Sequence, residues 1–169
     1  MVVLLTRFEG WDLLGLGLFL LAAATDFLDG FIARRWQKIT RLGKLLDPAA
    51  DKILTSAAFI ALVGIDLAPA WMVTVIIARE FAVSALRSLA GTQGVTLGAL
   101  FSGKVKTGLQ IVAIALLIIH DQLGEFRRLS LVSLWLALLA SVWSGIDYFA
   151  RYGPALVRGE RAGERLRER

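Results

Sequence analysis

Asp26, Asp29, Asp47 and Asp51 are the residues whose type and spacing best suit chemistry. Asp26 and Asp29 stand at i and i+3, and Asp47 and Asp51 at i and i+4, so on helices each pair shares one face. One such aspartate alone reads equally well as a helix cap or as a partner for Arg34, Arg35 or Lys44. Two pairs so spaced, with Gly30 and Gly43 nearby, read better as two faces closing on a cation. Oxygen ligands without Cys or His favour a hard divalent ion such as Mg²⁺, Mn²⁺ or Ca²⁺ over zinc. Gly30 and Gly43 allow a bulky ligand or a neighbouring helix to approach the backbone closely, and helix packing in a membrane would use them too.

The elements that must position these acids are membrane helices. The chain of 169 residues is 57% hydrophobic, its mean hydropathy is +0.67, and its long segments are apolar nearly all round rather than along one stripe. A spanning helix needs about 20 mainly apolar residues. Five spans are expected, at about Trp11 to Ala33, Asp47 to Ile65, Ala68 to Leu89, Val105 to Ile119 and Leu129 to Phe149, the fourth extending through Lys104. Pro48 and Pro69 read as first-turn residues of the second and third helices, where a missing N–H costs nothing. The fold class is therefore all-α, a polytopic membrane bundle.

Charge sets the expected orientation. Arg34, Arg35, Lys38, Arg41 and Lys44 lie between the first two spans without an acid, which places that loop in the cytoplasm. Alternation then brings Arg87, Lys104, Lys106 and the Arg-rich tail to the same side, and leaves the mixed-sign stretch from His120 to Arg128 outside. The net charge of +5 suits an anionic membrane surface better than nucleic acid, because the basic residues cluster in short loops. With no cysteine, disulfides and thiolate metal sites are excluded. The expected division is a membrane domain over 1–150 and a basic cytoplasmic tail over 151–169, with Arg158 to Arg169 a solvated, partly disordered end.

Asp26, Asp29, Gly30, Ala33 and Arg34, then Gly43, Asp47 and Asp51, with eight residues between Arg34 and Gly43, resemble the CDP-alcohol phosphatidyltransferases at every signature position. The run from Gly43 to Lys52, the residues Ala78 to Phe81 through Leu86 and Arg87, and Gly103 to Thr107 with Gln110 look like the bacterial phosphatidylglycerophosphate synthases in particular. The resemblance implies transfer of a phosphatidyl group from CDP-diacylglycerol to sn-glycerol 3-phosphate, with release of CMP. It implies that Asp26, Asp29, Asp47 and Asp51 hold Mg²⁺ or Mn²⁺, with Asp51 also the candidate general base. Asp29, Gly30, Ala33, Arg34 and Gly43 match the positions that accommodate the CDP-lipid. It further implies a homodimer in the cytoplasmic (inner) membrane with its site facing the cytoplasm. The family usually has six spans, so the front of this chain is expected to lack most of the first.

A phosphorylated acceptor needs cations besides the metal, and Arg79, Arg87, Lys104 and Lys106 are the candidates. Glu80, Ser84 and Arg87 share a helix face at i, i+4 and i+7. The plainer alternative is that Arg79 and Glu80 support neighbouring helices and that the lysines anchor at the interface. Trp135, Trp143, Tyr148 and Tyr152 read as core or interfacial belt contacts, Ser141, Ser144 and Asp147 as a packing seam, and His120 is given no role. Three competing functions are weighed. One is the same chemistry with inositol phosphate, serine or phosphatidylglycerol as acceptor. The second is a divalent-cation transporter, which would require polar residues on both membrane sides. The third is an inactive structural partner, which the intact motif disfavours.

Overall fold

The computed structural model describes the backbone of residues 10–35, 41–92 and 101–167, and the side chains of 10–25, 28, 52–91 and 101–154. Five α-helices occupy the described residues: α1 (Trp11–Arg35), α2 (Arg41–Gly64), α3 (Ala70–Thr92), α4 (Phe101–Ile118) and α5 (Arg127–Arg167). A 3₁₀ segment, His120–Phe126, joins α4 to α5. The expectation about the front of the chain falls mostly on residues 1–9, outside the described set.

Each expected span has become a helix. Phe101–Ile118 and His120–Pro154 are long and apolar enough to cross a membrane, and Trp11–Thr25 and Lys52–Gly64 are shorter apolar stretches. The rest of α1 and α2 holds the charged motif, and α3 is interrupted by Arg79, Glu80 and Arg87. Large apolar side chains point outward along the bundle, among them Trp143 at 71% exposure, Leu21 at 66% and Phe81 at 65%. In water such a surface would be an aggregation liability, and in lipid it faces its natural solvent.

The boundaries differ from the sequence reading at three places. Pro48 is not at the start of α2, which begins at Arg41. Leu42, Lys44, Leu45 and Leu46 are good helix formers, and they carry the helix upstream although their charge and Gly43 suggest a loop. Likewise α4 begins at Phe101, ahead of Val105. The end of the chain was expected to be irregular, yet the backbone of α5 continues through Pro154 to Arg167.

The α2–α3 turn shows how sequence sets a local fold. Leu67 and Ala68 donate their backbone N–H groups to the Leu62 carbonyl, at 2.9 and 3.3 Å, closing the last turn of α2 in the manner of a Schellman cap. Asp66 takes the left-handed conformation there, at φ 61°, which Asp tolerates better than most residues. The carbonyl of Pro69 then accepts from Met72 and Val73, at 3.1 and 3.3 Å, so this proline does open α3 as expected.

Helix α5 packs on α3 and α4, α4 also on α1 and α2, and α2 on α1 and α3. The main apolar core lies in one half of the bundle, with Phe59, Leu62, Met72, Ile76, Ile114, Leu117 and Leu134 among its members. A second cluster, Val83, Leu86, Ala90 and Tyr148, lies towards the other end. Between them along α3, α4 and α5 runs a polar layer formed by Arg79, Glu80, Ser84, Lys106, Gln110 and Ser144.

Candidate active site

Asp26 and Asp29 lie in the second half of α1, and Asp47 and Asp51 in the first half of α2. Only residues 36–40 separate the two helices, and the helices pack together, so both pairs belong to the same end of the bundle. The side chains of Asp26, Asp29, Gly30, Ala33, Arg34, Gly43, Asp47 and Asp51 lie outside the described residues, and so do the metal, CDP-lipid and general-base assignments made on them. Among the described residues no group of three or more His, Cys, Asp or Glu could hold a metal. The donor set of α1 and α2, carboxylates without nitrogen or sulfur, suits Mg²⁺ or Mn²⁺ chemically.

One residue beyond Asp51, the ammonium of Lys52 donates to Ser84 Oγ on α3. Ser84 Oγ in turn donates to the Glu80 carbonyl at 2.7 Å, one turn back on α3. The helix that carries the second aspartate pair is thereby tied to the polar layer. Glu80 is its centre, with only 6% of its surface exposed. Glu80 Oε1 accepts from Arg79 Nη1 at 2.9 Å, from Lys106 Nζ and from Gln110 Nε2 at 3.3 Å. Lys106 and Gln110 stand at i and i+4 on α4, one face presented to α3. A buried carboxylate is tolerable in such a place only when paired and hydrogen-bonded, and Arg79 and Lys106 meet that condition from two helices.

Arg79 reaches further. Its Nη2 donates to Ser144 Oγ on α5 at 2.7 Å, while its Nε is buried with no hydrogen-bond partner. The stem of Arg79 crosses α5 at Gly145, where an added Cβ would stand 3.0 Å from Arg79 Cγ and 3.4 Å from Nε. The absence of a side chain at Gly145 is what gives the guanidinium its path.

Nearer the end of α3, Arg87 donates through Nη2 to Tyr148 Oη at 2.6 Å. Ser102 Oγ donates to Asp147 Oδ2 at 2.9 Å, and Arg151 Nε donates to Asp147 Oδ1 at 2.5 Å. Of the seam expected from Ser141, Ser144 and Asp147, the latter two make polar contacts with other helices, whereas the buried Ser141 hydroxyl has no hydrogen-bond partner among the described residues. Lys104 is exposed on α4. The structure brings Arg79 and Lys106 together on Glu80, sets Arg87 against α5 and leaves Lys104 at the surface. His120, given no role, has Nδ1 2.6 Å from Ser130 Oγ at the far end of the bundle.

Two members of this network were missed by sequence reasoning. Lys52 was read only as the last residue of the Gly43 to Lys52 run, and nothing in that run pointed to its bond with Ser84. Tyr148 was read as a core or interfacial belt contact, and it is a core contact, buried at 3% exposure; its hydrogen bond with Arg87 is what the sequence did not show.

The fold and its polar interior define an integral-membrane helical bundle. Residues 1–143 match the CDP-alcohol phosphatidyltransferase family, and the chain belongs to it and is a phosphatidyltransferase. It is 47% identical over 147 residues to the CDP-diacylglycerol–glycerol-3-phosphate 3-phosphatidyltransferase of Bacillus subtilis, covering 85% of this chain and 76% of that protein. It is 38% identical over 143 residues to the enzyme of the same name from Rickettsia bellii, covering 81% and 77%. The Escherichia coli K12 enzyme of that name is 37% identical over 140 residues, covering 79% and 75%.

Proposed function

We propose that this protein transfers the phosphatidyl group of CDP-diacylglycerol to sn-glycerol 3-phosphate, giving phosphatidylglycerophosphate and CMP in phospholipid biosynthesis. The similarity to enzymes of that name supports the reaction. The observation that carries the acceptor is the buried Arg79, Glu80 and Lys106 cluster, tied through Ser84 and Lys52 to the helix of Asp51. A neutral alcohol would need no such cations. A phosphate is met by the fork of Arg79 and the point charge of Lys106.

In this reading the acceptor's hydroxyl oxygen attacks the phosphorus that bears the diacylglycerol. The bond from that phosphorus to CMP breaks, and CMP leaves with the electron pair. Asp51 takes the proton of the attacking hydroxyl. Asp26, Asp29, Asp47 and Asp51 would hold Mg²⁺ or Mn²⁺, which neutralises diphosphate charge and stabilises the leaving group when bound. Gly30, Ala33 and Gly43 leave room for the CDP-lipid, and Arg34 offers its phosphate a planar fork. Arg87 and Lys104 draw the acceptor inward from the cytoplasmic side. The basic segment from Arg34 to Lys44 supports a site facing the cytoplasm, in the inner membrane, and the enzyme works as a homodimer.

CMP release with glycerol 3-phosphate, inositol phosphate, serine and phosphatidylglycerol offered in turn, with and without Mg²⁺ or Mn²⁺, tests the reading. Release that needs glycerol 3-phosphate and metal, and that is lost in Asp51→Ala, is the expected result. Preference for another alcohol would overturn the acceptor, and activity retained by Asp51→Ala would overturn the base.

A further inference from the structure

Three donors converge on a single oxygen of Glu80. Arg79 Nη1 comes from α3, and Lys106 Nζ and Gln110 Nε2 come from α4, and all meet Oε1. Arg79 is next to Glu80 in sequence, so on an ordinary helix the two side chains leave the axis about 100° apart and do not face each other. Here the guanidinium is turned back to the carboxylate, its second nitrogen held by Ser144 and its stem by the gap at Gly145. Lys106 lacks such a fork. As a flexible point charge, it is given direction by the oxygen it donates to.

A carboxylate is a costly way to fasten helices inside a membrane, where Ser, Gln or close-packed small residues serve. The bundle uses those elsewhere between α4 and α5, at Gly103 against Tyr148 and at Ser144 against Ser102. Glu80 does what they cannot: one carboxylate oxygen holds two cationic side chains from two helices at fixed positions.

We propose that Glu80 is a positioning residue of the acceptor site, whose carboxylate orients Arg79 and Lys106 so that both meet the phosphate of the incoming alcohol. The inference rests on the phosphorylated-acceptor reading above. Glu80 itself touches no substrate and acts through the two cations.

The test uses the full chain in detergent or nanodiscs, with CMP release measured against each substrate separately. Glu80→Gln keeps the shape but loses the charge that orders the cations. It is expected to raise the KM for glycerol 3-phosphate by about tenfold or more while the KM for CDP-diacylglycerol stays within about twofold. Glu80→Asp keeps the charge and retracts it by one methylene, and falls between parent and Glu80→Gln. If Glu80→Gln does not fold, Glu80→Asp carries the same test, since its acceptor KM must rise alone. A folded Glu80→Gln with the parent's acceptor KM overturns the proposal. So does a parallel rise in both KM values, which marks a role in the fold only. A parent that releases no CMP with glycerol 3-phosphate overturns the acceptor reading and this proposal together, whereas an active parent with an indifferent Glu80→Gln overturns this proposal alone.

Discussion

The guanidinium of Arg87 lies over the Tyr148 ring, 5.0 Å from its centroid, and donates to the hydroxyl of that same residue at 2.6 Å. Tyr148 is itself buried and packs on Tyr152, with ring centroids 5.9 Å apart. Arg87 is therefore held by stacking and by a charge-assisted hydrogen bond, both supplied by α5. The end of α3 gains a fixed cation where the sequence alone offers a freely moving one.

Tyr148→Phe separates the two contacts, because it keeps the ring and removes the hydroxyl. A hydrogen bond to a charged group contributes about 1.5–3 kcal/mol, and stacking about 0.5–2 kcal/mol. The variant is expected to fold and to raise the KM for glycerol 3-phosphate about three- to tenfold, read from CMP release at varied acceptor. Tyr148→Ala loses both contacts and leaves a cavity in the Val83, Leu86 and Ala90 cluster, so its thermal unfolding temperature falls as well.

Gly145 and Gly103 make a matched pair on facing helices. A Cβ at Gly145 would stand 3.0 Å from Arg79 Cγ, whereas one at Gly103 would meet Tyr148 Oη at 3.7 Å, an ordinary contact. Gly145→Ala must displace the Arg79 stem, at a cost of about 1 kcal/mol or more, and is expected to lower kcat/KM for the acceptor at least about fivefold. Gly103→Ala should leave it unchanged. Kinetics of the two alanine variants, side by side, check the contrast.

Metal removal tests the aspartate pairs. Chelation with EDTA is expected to abolish CMP release, and added Mg²⁺ or Mn²⁺ to restore it, while Zn²⁺ does not, because carboxylate oxygens without nitrogen or sulfur suit the harder ions. Asp47→Asn removes one charge from the proposed ligand set and should reduce kcat by about a hundredfold or more. Full activity in EDTA would remove the metal from the mechanism.

Much of this was legible in the sequence, for identifiable reasons. Apolar length located the five helices of the described residues, and the i, i+3 and i, i+4 spacing of the aspartates put each pair on one face of its helix. The extension of α2 upstream of Pro48 was not legible, since Arg41, Gly43 and Lys44 have the composition of a loop while Leu42, Leu45 and Leu46 have the propensity of a helix. Arg79 and Lys106 could be named as candidate cations for a phosphorylated acceptor, but not their meeting on Glu80. Spacing along one helix says which side chains share a face, and nothing about which residue of another helix meets it. Tyr148 shows the same limit, because its type and spacing leave core and interfacial belt equally open until its partner on α3 is known.

The last expectation concerns the turn at the opposite end of α3 from Arg87. Asp66 holds φ at 61°, a conformation that costs an ordinary L-residue about 1–2 kcal/mol and glycine nothing. Its carboxylate is exposed, and the reversal is secured by backbone bonds from Leu67 and Ala68 to the Leu62 carbonyl, which glycine preserves. Asp66→Gly should therefore match or exceed the parent in thermal stability. Asp66→Val, whose branched Cβ resists the left-handed region, should destabilise by about 1–2 kcal/mol. Because Asp66 lies on the face away from Asp26, Asp29, Asp47 and Asp51, both variants should retain the parent's KM values. A fall in stability for Asp66→Gly would mean that the carboxylate, rather than the backbone cap, holds the turn.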